Sequence, residues 1–388
     1  MRTIGVVTVA RSDYGIYLPV LRRIQDDPDL QLHLLVAGAH LAPAFGLTVR
    51  DIEADGFPIG ERVEMLLSSD TPTSIAKSMG LGIIGFAQAY ERRRPDILLV
   101  LGDRFEMHAA VTAALPFNIP VAHIHGGELT LGAMDDALRH AITKMSHLHF
   151  VATQVYAQRV IQMGEEPWRV TVSGAPGLDN LYGARLFSRE ELGAQLGLEP
   201  HVPFLLVTVH PVTLEHEQTE TQMRETLAAL AAVGLPVVFT YPNADTRHHT
   251  IVQMIHEFTA THPQAQSVVN FGTPGYFSAM RWATAMVGNS SSGIIEAASF
   301  KLPVVNIGSR QQGRVRGRNV IDVPCERAAI QTAIEQAMSE EFRAGLADLV
   351  NPYGDGHAAE RIVERLKSVP LDSRLLHKRF HDLRADVT

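Results

Sequence analysis

Short apolar, β-branched runs alternate along the chain with longer stretches of helical periodicity, and this alternation narrows the possible folds more than any other feature. Thr3–Val9, Leu32–Ala37, Ile97–Leu101, Pro120–Ile124, His149–Ala152 and Val170–Val172 read as strands. Tyr17–Ile24, Glu106–Ala114, Asp136–Met145 and Tyr156–Met163 fit as helices between them. Continuous apolar runs joined through helices predict parallel sheet covered on both faces. The pattern breaks at Gly174-Ala175-Pro176-Gly177. After a polar helical stretch, Ser188–Leu196, it resumes with Phe204–Val209, Val237–Thr240, Val268–Asn270, Ala285–Val287 and Val304–Ile307, with a helix over Ser292–Phe300. At 388 residues the chain exceeds the usual single domain. The expectation is an α/β protein of two doubly wound, Rossmann-like domains, 1–180 and 181–365. The charged stretch Glu360–Leu383 reads as helical, and a C-terminal helix over about 366–388 is expected to pack back on the first domain.

Composition removes several function classes. The formal net charge is −8, which suits neither a general nucleic-acid binder nor an anionic-membrane binder. A single cysteine, Cys325, excludes an intrachain disulfide and a Cys-rich zinc site. No stretch approaches the roughly 18 unbroken apolar residues of a membrane span, and the apolar start of the chain reads as a first strand. The expected setting is the cytoplasm.

In open parallel sheets ligands bind beyond the carboxyl ends of strands, and two such sheets in tandem predict a ligand cleft between them. The residues at those ends are Arg11, Asp103, Arg104, His123, His125, Glu128, His210, Asn243, Ser290 and Arg310. Each alone is an ordinary polar loop residue. As a set they are a charged crown on apolar strands.

The richest stretch joins Gly102-Asp103-Arg104-Phe105-Glu106, His123-Ile124-His125-Gly126-Gly127-Glu128 and Asp135-Asp136-Ala137-Leu138-Arg139-His140. Asp103 and His125 follow two strands and should face one crevice. Asp136 with His140, and Asp135 with Arg139, are four apart and share helix faces. Carboxylates and imidazoles converging at a sheet end are equipment for moving protons to and from carbon, so Asp103, His125, Glu128, Asp135 and His140 are the candidate catalytic set. A zinc site from His123, His125 and Asp135 is the weaker rival. One of His123 and His125 is expected to be a buried, hydrogen-bonded core histidine.

In the second half, Gly288-Asn289-Ser290-Ser291-Ser292-Gly293 follows a strand and opens a helix carrying Glu296. Small residues and free N–H groups at a helix start suit a phosphate, although a plain serine N-cap would look the same. It is not a Walker loop, and no Gly-x-Gly-x-x-Gly follows the first strand, which argues against nicotinamide. Arg310, with Arg11 and Arg104, could neutralise a diphosphate.

At these residues the chain resembles the UDP-N-acetylglucosamine 2-epimerase family, more closely its hydrolysing branch in sialic and related nonulosonic acid synthesis. The match is carried by Arg11-Ser12-Asp13-Tyr14-Gly15, Gly102-Asp103-Arg104-Phe105-Glu106, His125-Gly126-Gly127-Glu128 with Asp135-Asp136 and Arg139-His140, and His210-Pro211-Val212-Thr213. It continues through Pro242-Asn243-Ala244-Asp245, Gly288-Asn289-Ser290-Ser291-Ser292-Gly293 and Gly308-Ser309-Arg310-Gln311-Gln312-Gly313-Arg314. The resemblance implies a GT-B-like pair of domains facing a cleft, a homodimer or homotetramer, and neither metal nor nicotinamide. It implies that Arg11 and Arg104 touch nucleotide phosphates, that His210, Ser290, Ser291 and Arg310 hold the diphosphate with Asn243 nearby, and that Glu296 binds ribose. Phe271 would offer its backbone to uracil, and Asp103 and Asp135 match positions implicated in proton transfer.

The chain departs from the sialic-acid-type pattern at His125, where that pattern has a catalytic glutamate, and the spacing from Glu128 to Asp135 is one residue longer. The implied reaction is release of UDP and N-acetylmannosamine from UDP-N-acetylglucosamine, by elimination and hydration. The alternatives are the same reaction on a UDP- or GDP-linked 2,4-diacetamido-2,4,6-trideoxy sugar, as in the legionaminic acid branch, and a non-hydrolysing 2-epimerase. A retaining glycosyltransferase and a sugar-nucleotide sensor are more distant rivals.

Overall fold

The computed structural model describes residues 1–69, 71–130, 134–212, 217–241, 248–269 and 271–383. The chain divides into two units, Met1–Asn180 with Tyr353–Thr388, and Leu181–Pro352.

The first unit holds seven strands: β1 (Arg2–Thr8), β2 (Leu30–Ala37), β3 (Ile59–Val63), β4 (Ile97–Leu101), β5 (Val121–Ile124), β6 (Leu148–Val151) and β7 (Val170–Val172). They pair in the order β3-β2-β1-β4-β5-β6-β7, all parallel. β4 and β5 are buried along their whole length, as strands sandwiched between helix layers must be. β3 escapes the sequence pattern because it is an edge strand with an interrupted burial pattern.

The second unit holds β8 (Leu205–Thr208), β9 (Val237–Thr240), β10 (Ala265–Val268), β11 (Ala285–Gly288), β12 (Val304–Ile307) and β13 (Val320–Val323). The order is β10-β9-β8-β11-β12-β13, again all parallel. Separate apolar clusters pack on its two faces, one around Val207, Val287 and Ile334, the other around Leu206, Met286 and Phe277. Two parallel-sheet α/β domains are therefore present. The strand expected at Val268–Asn270 lies earlier, at Ala265–Val268, and Asn270 falls outside the described residues. The helix expected over Ser292–Phe300 is two pieces, Ser291–Ile295 and a 3-10 turn at Ala297–Phe300.

The chain re-enters the first unit at Tyr353, earlier than the boundary at 365. Tyr353 is buried, its carbonyl accepts from Ala175 N at 2.8 Å and its hydroxyl meets that of Tyr156 at 3.0 Å. The helix that follows, Ala358–Ser368, lays Ala359, Ile362 and Leu366 on the first core. It stops at Ser368 because Pro370 forces its predecessor, Val369, into extended backbone, so no continuous helix runs over 366–388. The segment beyond is pinned by Arg169, a buried guanidinium that donates to the carbonyls of Leu375 (2.8 Å), Arg374 (2.8 Å) and His377 (3.3 Å). An Arg169→Met variant is expected to lose about 2–4 kcal/mol, because those carbonyls lose their donor. Limited proteolysis should then clip the chain near residue 375 while wild type resists. Equal resistance would remove Arg169 from this role.

No helix among the described residues is long and apolar enough to cross a membrane.

Candidate active site

Three pieces of the first unit meet at the carboxyl ends of β4 and β5. Gly102, at φ +75°, turns the chain out of β4 and presents Asp103 and Arg104 before the helix Phe105–Ala114. After β5, His125 takes φ +64°, a left-handed conformation unusual for a side-chain-bearing residue. Such strain persists only where surrounding structure imposes it. Here His125 N still donates to Phe150 O at 3.0 Å, and its carbonyl accepts from Arg139 Nη1 at 2.8 Å. Gly127, at φ +76°, lets the backbone pass Tyr156, whose carbonyl would lie 2.6 Å from a Cβ there. The third piece is the helix Met134–Met145.

Arg139 from that helix is the hub. It is buried, and its Nη2 donates to Asp103 Oδ2 and, at 3.0 Å, to Thr130 Oγ1. The hydroxyl of Thr130 in turn lies 3.2 Å from Asp103 Oδ2. Asp103 is thus an ion-paired carboxylate. Asp135, one turn from Arg139, has its carboxyl pushed above the usual range by burial and by the charge of Asp103. An ion-paired carboxylate and a carboxyl raised by its charge are the kind of pair an acid–base site uses.

The second centre is His125 with Glu128. Both are buried, and Nδ1 of His125 lies 2.6 Å from Glu128 Oε1. A carboxylate can only accept, so Nδ1 carries a proton and donates it to Glu128. The expected set is otherwise divided. His140 stands with Asp136 at 3.6 Å, and Asp136 also accepts from Thr130 N at 2.7 Å, so this pair serves the loop before the helix. His123 lies fully buried on β5, two residues before His125. Among the described residues no group of three or more His, Cys, Asp and Glu is placed to hold a metal ion.

The cations are not equivalent. Arg104 donates twice to the fully buried Glu106, at 3.2 and 3.0 Å, so its guanidinium is already oriented. Arg11 is exposed at the start of the helix Arg11–Asp26, with no side-chain partner among the described residues. The sequence motif hid the role of Asp13. Its buried carboxylate accepts from the backbone N–H of Val9 (3.0 Å) and Ala10 (3.1 Å) and from Thr8 Oγ1, which clamps the loop that presents Arg11.

In the second unit, β8 and β11 are adjacent and deliver His210 and Asn289 together. His210 N donates to Asn289 Oδ1 at 2.7 Å, and Asn289 Nδ2 returns a bond to His210 O at 2.8 Å. Burial and the charge of Arg310 hold the His210 imidazole down at about 3, so it is neutral. Arg310 Nη1 and Gln311 Nε2 both donate to Asn289 O, at 3.1 and 2.8 Å. Ser290 caps the short helix, accepting from Ser292 N at 3.3 Å, and Ser291 begins it. Tyr276, not singled out by the sequence, lies near the hydroxyls of Ser290, Ser292 and Thr208, and burial raises its phenol. Glu296 ends that helix, and burial raises its carboxyl to about 7. Its Oε2 is enclosed and finds no partner among the described residues. Phe271 precedes the helix Gly272–Trp282 and packs on the second cluster of this unit. Asn243 lies outside the described residues.

The family model for UDP-N-acetylglucosamine 2-epimerase matches residues 22–367. The chain is 40% identical over 378 residues to a protein of Legionella pneumophila described as UDP-N,N'-diacetylbacillosamine 2-epimerase (hydrolyzing), covering 97% of this chain and 99% of that one. It is 38% identical over 385 residues to a GDP/UDP-N,N'-diacetylbacillosamine 2-epimerase (hydrolyzing) of Campylobacter jejuni, covering 98% and 99%. The crystal structure of UDP-GlcNAc 2-epimerase from Neisseria meningitidis bound to UDP-GlcNAc superposes with a TM-score of 0.78 over 94% of this chain and 99% of that one. Its 18% identity makes that a likeness of fold, the GT-B-like one. The chain is therefore a member of the UDP-N-acetylglucosamine 2-epimerase family, in its hydrolysing branch.

Proposed function

We propose that this enzyme hydrolyses a UDP-linked 2,4-diacetamido-2,4,6-trideoxy sugar with inversion at carbon 2, supplying a nonulosonic acid pathway. The observation that carries the chemistry is two pairs of ionisable groups at adjacent strand ends, His125 with Glu128 and Asp103 with Asp135, which we read as two acid–base centres. One centre removes the proton from carbon 2 as the bond from carbon 1 to the diphosphate breaks. UDP leaves and a glycal remains. Water then adds its oxygen to carbon 1 and gives up one proton to solvent, and the other centre gives a proton to the opposite face of carbon 2; the first centre then releases, and the other regains, a proton from solvent. The free sugar has manno configuration.

Charge building on the departing diphosphate needs fixed donors. We assign this to Arg11 and Arg104 in the first unit and to His210, Ser290, Ser291 and Arg310 in the second, with Asn243 beside them. Phe271 offers its backbone to the uracil. The choice of the 4-acetamido sugar over UDP-N-acetylglucosamine rests on the two relatives named for the former, at 40% and 38% identity over nearly the whole chain. His125, at the position where the sialic-acid type has glutamate, accords with a variant sugar. We further place the enzyme in the cytoplasm as a homodimer or homotetramer. The single cysteine accords with a reducing compartment, and exposed Leu81 and Ile84 on one helix face accord with self-association.

The test is to incubate the protein separately with UDP-N-acetylglucosamine, its 4-acetamido-6-deoxy analogue and the GDP form of that analogue, in heavy water under proton NMR. Free sugar, UDP and one deuterium at carbon 2 are expected, fastest with the UDP-linked analogue. A product still carrying UDP, or no deuterium at carbon 2, would overturn the mechanism. Preference for UDP-N-acetylglucosamine would overturn the substrate.

Assigning Glu296 to the ribose carries a pH prediction. An ionised carboxylate accepts two hydroxyls, and burial holds this one near 7 in the free protein. UDP affinity should therefore rise by about tenfold between pH 6 and 8, and a Glu296→Gln variant should show only the change due to the nucleotide's own phosphate. The same shift acts oppositely on stability. The folded protein holds this proton more tightly than the unfolded chain, so the contribution is full below the ordinary carboxylate range and is lost as pH rises through about 7. Calorimetric titration with UDP reads the first effect, and identical pH curves for both proteins would sink the assignment.

A further inference from the structure

We propose that His123 is a positioning residue, holding the loops that carry Asp103 and His125 in register with the helix that carries Asp135 and Arg139. The inference rests on the acid–base reading given above.

His123 lies on β5 with no solvent exposure. Its Nε2 is 2.8 Å from the carbonyl oxygen of Gly102. A carbonyl can only accept, so Nε2 carries the proton and Nδ1 has the lone pair. That lone pair meets the hydroxyl of Thr143 at 3.2 Å. Burial drives the imidazole down to about 3, so the ring is neutral and has one donor and one acceptor, matched to these two partners.

The partners matter because of where they sit. The carbonyl of Gly102 belongs to the peptide unit that leads directly into Asp103, and Gly102 itself stands at φ +75°. Fixing that carbonyl fixes the plane from which the Asp103 side chain departs. Thr143 is one helical turn beyond Arg139 and two beyond Asp135, so the three share a helix face. The residue after His125 touches the same group: a Cβ at Gly126 would stand 3.1 Å from both His123 Nδ1 and Thr143 Oγ1. A single buried ring therefore bears on the β4 loop, the β5 loop and the helix Met134–Met145. Its two hydrogen bonds go to Gly102 and Thr143 and not, among the described residues, to a candidate acid–base side chain, so its effect on them is through placement. Misplacement of a reacting group by about 1 Å costs roughly 100-fold in rate.

A histidine that merely fills core volume makes a different prediction, and three full-length variants separate the two. Glutamine at 123 can set its amide nitrogen near the position of Nε2 and donate to Gly102, leucine keeps bulk without a bond, and Thr143→Val removes only the second partner. For His123→Leu, kcat should fall roughly 100-fold while KM and UDP affinity stay within about threefold. His123→Gln should recover kcat to within about tenfold of wild type, and Thr143→Val should lose about fivefold. Melting temperatures are measured alongside. Wild-type kcat in His123→Leu would overturn the proposal, as would a His123→Gln protein that is folded but as inactive as the leucine variant. If the leucine protein does not fold, the other two decide: unchanged kcat in Thr143→Val together with an inactive His123→Gln refutes positioning. Wild-type protein inert toward all three sugar nucleotides would instead refute the functional reading, a distinguishable result that removes the inference with it.

Discussion

An Asp103→Asn variant should lose turnover by roughly 1,000-fold and still bind UDP with near wild-type affinity. The substitution keeps shape and removes one charge. That charge has two connections in the first unit. It pairs with the buried guanidinium of Arg139, which also holds the His125 carbonyl and Thr130. It also contributes, after burial, to raising the Asp135 carboxyl. Without it Asp135 should ionise at lower pH, so the variant's residual activity should show an acid-side limb displaced downward. The groups proposed to hold the diphosphate, His210, Ser290 and Arg310, are ordered by bonds within the second unit, so nucleotide affinity should survive. Steady-state kinetics, calorimetry with UDP and a melting curve separate chemistry from folding. A folded variant retaining more than about a tenth of wild-type kcat would remove Asp103 from the proton transfers.

Gly288→Ala should have the largest effect on stability, about 4 kcal/mol or more. Gly288 ends β11 at φ +136°, a backbone conformation essentially reserved for glycine, and a Cβ there would stand 2.0 Å from the carbonyl oxygen of Thr208 on β8. Neither strand can retreat, because β11 lies between β8 and β12 and pairs with both. The clash falls beside the reciprocal His210–Asn289 bonds, so UDP binding should be lost with the fold. The melting temperature should drop by about 10 °C or more. Gly308→Ala is the control. Gly308 also has positive φ, +74°, but a Cβ there meets nothing within 4 Å, so about 1 kcal/mol of strain is all it should cost. A Gly288→Ala protein as stable as the Gly308→Ala protein would show that the crossing of β8 and β11 tolerates a side chain.

Most of the layer architecture was legible from local pattern, because strands covered on both faces are written as unbroken apolar runs. The runs at β1, β2, β4, β5, β8, β9, β11 and β12 needed no tertiary information. β3 and β13 did, since edge strands such as Ile59–Val63 and Val320–Val323 are only partly buried and take their pairing from a neighbour. The C-terminal helix ends short of its expected extent because helical periodicity persists past Ser368, while the backbone restriction before Pro370 ends the helix. The split of the helix after Gly288-Asn289 has no signal in its composition.

At the candidate site, the sequence alone determined which residues stand at the strand ends, because hydrophobic period and turn chemistry locate those ends. Only the tertiary structure decided which partner each charged group takes. Arg139 pairs with Asp103, Glu106 orients Arg104, Glu128 accepts from Nδ1 of His125, and Asp13 serves the backbone of the β1 turn. Those choices depend on distances between segments tens of residues apart and on how much water each group loses. Neither is encoded in the spacing of residues along one strand or helix.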